Sequence, residues 1–165
     1  MIWRHHDDGQ IQARAQYSDC AAYRHALHRR WGLGPVQGWV MLNPSTATEA
    51  VSDPTITRCT LRAQAVGYGA IAVVNLFAFR ATRPRDMMRA ADPVGPGTDV
   101  ALGEALRECD QVICAWGNHG SFLGRAAQVR ALLGRLPLVH LGLTVQGQPR
   151  HPLYVRLDAP LLPLA

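Results

Sequence analysis

Four places in the chain gather side chains that can bind or polarise a ligand, and each accompanies a short apolar run. Asn43-Pro44-Ser45-Thr46 closes the first run. Asn75 sits inside the second, with Arg80, Thr82 and Arg83 after it. Gly117-Asn118-His119-Gly120 follows the third, and Thr144, Gln146, Gln148, Arg150 and His151 follow the fourth. A carboxamide offers a donor and an acceptor together, an imidazole donates a hydrogen bond even when neutral, and guanidinium forks match phosphate. Asn75 is the most constrained of these. Within AVVNLF, a buried amide left without a partner costs about 1–3 kcal/mol, so it must meet either neighbouring backbone or a ligand. Asn43-Pro44 has two readings, a turn that ends a strand or part of a site, because both residue types favour turns. His119, between glycines, marks either a tight turn or a close approach of backbone to a ligand.

The elements that must position these groups follow from periodicity. Residues 38–42, 71–77, 111–116 and 138–143 are short continuous apolar runs rich in β-branched residues, as expected of strands buried on both faces. Helical stretches lie between them. Asp53-Pro54 opens 55–66 as a capping residue followed by proline, and Gly67 closes it; 98–109 and 121–136 carry apolar residues at helical spacing. Residues 91–97, with two prolines and two glycines, form a surface loop. Near the amino terminus, 11–17 and 23–31 flank a Ser18-Asp19 turn, the second reading as strand or short helix; together they predict an edge hairpin. The expected fold is α/β: a three-layer α/β/α sandwich around a central, mostly parallel four-stranded sheet, plus that N-terminal hairpin, in one domain over residues 1–165. In an open parallel sheet the carboxyl ends of the strands share one edge, where ligands bind. The polar clusters therefore converge on a single crevice. Of Phe77 and Phe79 only one can face it, and Phe77 is assigned to the site.

Composition narrows the chemistry. All seventeen basic residues are arginine, against nine Asp and three Glu, for a net charge of +5. That balance suits phosphate-bearing partners, although the simpler cause of the arginine bias is a GC-rich genome that replaces Lys with Arg throughout. Without lysine, no side-chain amine can form a Schiff base. There is no G-x-x-x-x-G-K-[ST] loop, no G-x-G-x-x-G fingerprint and no G-x-S-x-G elbow, which argues against nucleotide hydrolysis, dinucleotide redox chemistry and serine-hydrolase chemistry. Cys20, Cys59, Cys109 and Cys114 have no metal or redox spacing and read as small buried thiols. His5, His6, His25 and His28 read as surface residues. Acidic side chains are scarce near the strand ends, so neither a metal nor another cofactor is expected. No apolar leader or membrane span is visible, and cytoplasm is the expected location. No obligate protein partner is inferred.

The strings VMLNPSTA, DPTITRC, GYG, VVNLFAFRAT, ADPVG, AWGNHG and GQPRHPLYV resemble a bacterial family known only as a domain of unknown function, over about residues 12–163. The order of motifs is also similar, more distantly, to the uracil-DNA glycosylase superfamily. That resemblance implies a glycosylase-like fold and a monofunctional hydrolase of the N-glycosidic bond of a damaged or modified base in DNA. Asn43 would position the attacking water and His151 would stabilise the departing base. By the same resemblance Pro44, Asn75 and Pro152 would contact substrate; the loop residues themselves add Ser45, Phe77, Arg80 and His119 to that set and make Arg58, Arg83 and Arg150 the candidates for phosphate. The chain departs from the superfamily in lacking the aromatic residue that stacks on uracil. It also has Leu153-Tyr154-Val155 where a serine-rich loop is expected, and no iron–sulfur spacing. Two alternatives stand beside the glycosylase: a non-catalytic nucleic-acid or nucleotide binding module, and a hydrolase acting on free nucleosides or nucleotides.

Overall fold

The computed structural model describes residues 1–165. Its strands are β1 (Ile2–Asp7), β2 (Gln12–Tyr17), β3 (Arg24–Arg30), β4 (Val36–Met41), β5 (Ala70–Asn75), β6 (Cys109–Cys114), β7 (Leu138–His140) and β8 (Leu162–Pro163). Its helices are α1 (Pro54–Ala65), α2 (Pro84–Met88), α3 (Thr98–Leu106) and α4 (Arg125–Leu132), with 3₁₀ turns over Asn118–Gly124 and Pro152–Tyr154. All eight strands join one sheet in the order β1-β2-β3-β5-β4-β6-β7-β8. Inside it, β5, β4, β6 and β7 pair in parallel. β1, β2 and β3 run antiparallel on one side, and β8 does so on the other.

The expected four-stranded sheet with a separate hairpin is thus replaced by one mixed sheet. The reason lies at β3, which reads RHALHRR yet is largely buried, because it pairs with β2 on one side and β5 on the other. β1 escapes sequence reading altogether: its residues are exposed on both faces, so no alternation is imprinted.

Helices cover both faces. Phe77, Met87, Leu102, Leu106, Val129 and Leu133 bury one side of the sheet under α2, α3 and α4. Leu27, Trp39, Ile56, Cys59, Ile71 and Val73 bury the other under α1. Asp53 caps α1, its Oδ1 accepting from Ile56 N–H at 2.8 Å, with Pro54 behind it. Other boundaries moved. The helix expected over 121–136 begins only at Arg125, because Leu123 and Gly124 adopt positive φ. β7 stops at His140, whose Nδ1 accepts from Gly142 N–H at 3.0 Å and turns the chain out of the ladder. His25 and His28, read as surface residues, are not exposed: His25 is buried beside Thr98, and His28 is half-buried against the Trp3 ring. Cys20 is exposed rather than buried, while the other three thiols lie inside.

Candidate functional site

The parallel strands β5, β4, β6 and β7 deliver their following loops to one cleft of about 860 Å³. Asn43, Ser45, Asn75, His119, Arg150 and His151 all line it, although they come from distant parts of the chain. A second concavity of about 870 Å³ lies between β1–β3 and α3 and holds none of these residues.

Asn43 follows β4 and is half-buried. Its Nδ2 donates to the carbonyls of Pro44 (3.1 Å) and Ala81 (2.8 Å), so the amide is fixed and Oδ1 is left as an acceptor for the cleft. Asn75 ends β5 opposite Met41, on the α1 face of the sheet. It is 3% exposed, and neither Oδ1 nor Nδ2 has a protein partner. Backbone does not satisfy it.

His151 caps the turn at Pro152–Tyr154, and its Nδ1 accepts from Leu153 N–H at 3.3 Å. The free proton of the neutral ring therefore sits on Nε2. Burial pushes the imidazole below its ordinary 6.5, against the opposing pull of the Asp53 carboxylate, which keeps the ring neutral near pH 7. The loops are braced to each other as well as to the sheet. Trp116 Nε1 donates to Gln148 Oε1 at 2.8 Å, Thr144 Oγ1 to Asn118 Oδ1 at 2.6 Å, and Gly117 N–H to Pro149 O at 2.8 Å.

Asp53 is the only carboxylate on the cleft wall. Both of its oxygens accept backbone N–H bonds, from Ile56 and from Ala47 (3.3 Å). It is occupied as a cap and brace. No group of three or more His, Cys, Asp or Glu side chains is gathered to hold a metal ion, and no helix is long and apolar enough to cross a membrane.

Six residues assigned to the site lie off the cleft wall. Phe77 is fully buried on the opposite face against Phe122, because β5 ends at Asn75 and the next turns drive the ring under α4. Pro44 and Pro152 are buried behind Asn43 and His151. Arg58 donates to Val155 O at 2.7 Å and ties α1 to the carboxyl-terminal tail. Arg80 donates to Ala21 O at 3.1 Å with its guanidinium over the Tyr17 ring. Arg83 is exposed at the start of α2, next to the lining residues Thr82 and Pro84. In the other direction, Arg24 lines the cleft and was not foreseen. It is 2% exposed, and burial pushes its guanidinium down to about 10.

Searches among curated proteins and among solved structures returned no match. A family model described as "Protein of unknown function (DUF1643)" matches residues 24–153. The matched stretch begins at Arg24 and contains every cleft-lining residue except Tyr154. With 130 of its 165 residues matched, the chain belongs to this family, DUF1643.

Proposed function

We propose that the strand-end cleft binds a planar nitrogenous base and that the protein hydrolyses the N-glycosidic bond of a damaged or modified base in DNA. Asn75 is the observation that carries this reading. Its buried carboxamide presents an unused donor beside an unused acceptor, the pair needed to read one edge of a base. The motif resemblance to the uracil-DNA glycosylase superfamily supports the same assignment.

In such a hydrolysis the C1′–N bond breaks, a water oxygen bonds to C1′, and a proton leaves the water while negative charge builds on the base. Asn43 Oδ1 orients the water; a carboxamide cannot take its proton at neutral pH, so the proton passes to solvent or to the departing base. His151 Nε2–H donates to a base oxygen as charge accumulates there. Arg150 and Arg83 stand at the rim for phosphate. A duplex substrate would have to present its target nucleotide flipped out of the stack. With no lysine in the chain, no lyase step through a side-chain amine is expected, and borohydride should trap no DNA adduct other than one formed by the amino terminus.

A second reading is favoured by Asp53. The sole carboxylate of the cleft is committed to backbone N–H groups, which leaves no carboxylate free as a general base, and on this reading the protein binds bases without cleaving them. Single-turnover assays on oligonucleotides carrying uracil, hypoxanthine, alkylated or other modified bases separate the two. The glycosylase reading expects base release slowed by about 100-fold or more in Asn43→Ala. Binding without release across the panel, unchanged by Asn43→Ala, selects the binding module. Activity on nucleosides or nucleotides alone selects a hydrolase of free monomers.

A further inference from the structure

We infer that Arg24 forms an oxyanion pocket inside the cleft, which takes a phosphate carried into the cleft with the base. The inference rests on the nucleobase reading only for the identity of the group that carries the phosphate.

The position of Arg24 follows from a break in the β2–β3 ladder. Gln16 pairs with Ala26 but Tyr17 pairs with Arg24, so His25 is an extra residue in β3. Regular alternation would put Arg24 on the α3 face with Ala26. The bulge places it instead across from Tyr17, which belongs to the α1 face, the face of Met41 and Asn75. Bulges of this kind re-aim a side chain beside a site.

What the bulge re-aims is an unpaired charge. Arg24 Nη1 donates to Ala47 O, while Nε is buried without a partner and no carboxylate lies within ion-pairing distance. Arg29 and Arg80 stand close enough to oppose its charge, and each also has a buried Nε without a partner. Asp53 offsets part of this positive field, but its oxygens are already held by backbone N–H groups. Burying an unpaired guanidinium opposes folding, and an anionic ligand supplies the missing partner. Since Arg24 is 2% exposed, that anion must enter the cleft. A planar guanidinium fork matches the oxygens of a phosphate or a carboxylate bidentately, and of these two anions phosphate is the one that a nucleotide base carries with it.

The test titrates inorganic phosphate, and then matched pairs of nucleoside and nucleoside 5′-monophosphate, into the full chain at low ionic strength. Phosphate is expected to shift the Arg24 Nε–H resonance of the wild-type protein. A 5′-monophosphate is expected to bind about tenfold or more tightly than its nucleoside, a margin that disappears in Arg24→Gln. Oligonucleotides form a separate arm. An Arg24-dependent preference for the monomer identifies a free nucleotide, and one confined to oligonucleotides identifies a strand phosphodiester; both support the pocket. An unmoved Arg24 resonance, or a phosphate margin that survives in Arg24→Gln, overturns it. Failure of the base reading looks different: Asn75→Ala leaves discrimination among bases untouched while the Arg24 effect persists.

Discussion

Asn75 holds a carboxamide in the interior without a partner on either atom, a cost of about 1–3 kcal/mol that a shape-matched apolar residue would not incur. Asn75→Leu is therefore expected to raise unfolding stability by about 1–2 kcal/mol in urea denaturation while abolishing ligand binding. A large loss of stability would mean that the amide has a structural partner. His28 gives a second test at this scale. Burial, reinforced by Arg14, pushes its imidazole down to about 4 from 6.5. Above about pH 6.5 neither folded nor unfolded chain binds that proton, and stability is full. As the pH falls from 6.5 towards 4 the unfolded chain binds it first, and stability drops by up to about 3 kcal/mol. Burial lowers His25 and His151 as well, with the same sign. Denaturation curves of His28→Phe should show a shallower acid slope than wild type. Asn43, Asn75 and His151 were legible in the sequence because each is a polar residue in or just after an apolar run. Arg24 was not, since its burial comes from a bulge and from neighbours distant in the chain.

Elements, not single residues, decide whether these groups meet. The parallel strands announce themselves as continuous apolar runs, because each is covered on both faces; β1, bare on both faces, and β8, two residues long, leave no pattern. The loops that follow are held by contacts that periodicity cannot encode. Gly120 lies so close to Trp116 that a Cβ there would sit 2.0 Å from its Cδ1. Gly120→Ala must then displace the indole and break its bond to Gln148, costing about 1–3 kcal/mol and shifting the Trp116 N–H resonance. An unshifted resonance would show that this loop can yield without moving the cleft wall. Arg62, in the last turn of α1, donates to the carbonyls of Arg156, Leu157 and Ala159 and holds the tail beyond His151. Arg62→Ala should destabilise the protein by about 1–3 kcal/mol and expose residues 156–159 to proteolysis. Intact protection there would assign the anchoring to Arg58 alone.

At the scale of the molecule, the +5 charge is less available than the sequence suggests. Arg58, Arg62, Arg80, Arg125 and Arg150 each spend at least one donor on a backbone carbonyl, and Arg24 is buried, so the cleft offers few freely exposed guanidiniums for a strand, Arg83 at its edge among them. Binding to an oligonucleotide should accordingly show a shallow salt dependence, with a slope of about −1 to −2 in log–log form. A slope several times steeper would place the nucleic acid along another face. The α/β class and the meeting of the strand-end loops were both legible, because parallel topology forces those loops to one edge. The full sheet was not, because β3 reads as a charged segment until β2 and β5 enclose it. The most direct measurement is the side-chain amide resonance of Asn75 during titration with nucleobases, nucleosides and modified-base oligonucleotides. A saturable shift with at least one of them, lost in Asn75→Leu, is the predicted result. An amide signal that no base moves would contradict the assignment of this cleft to a base.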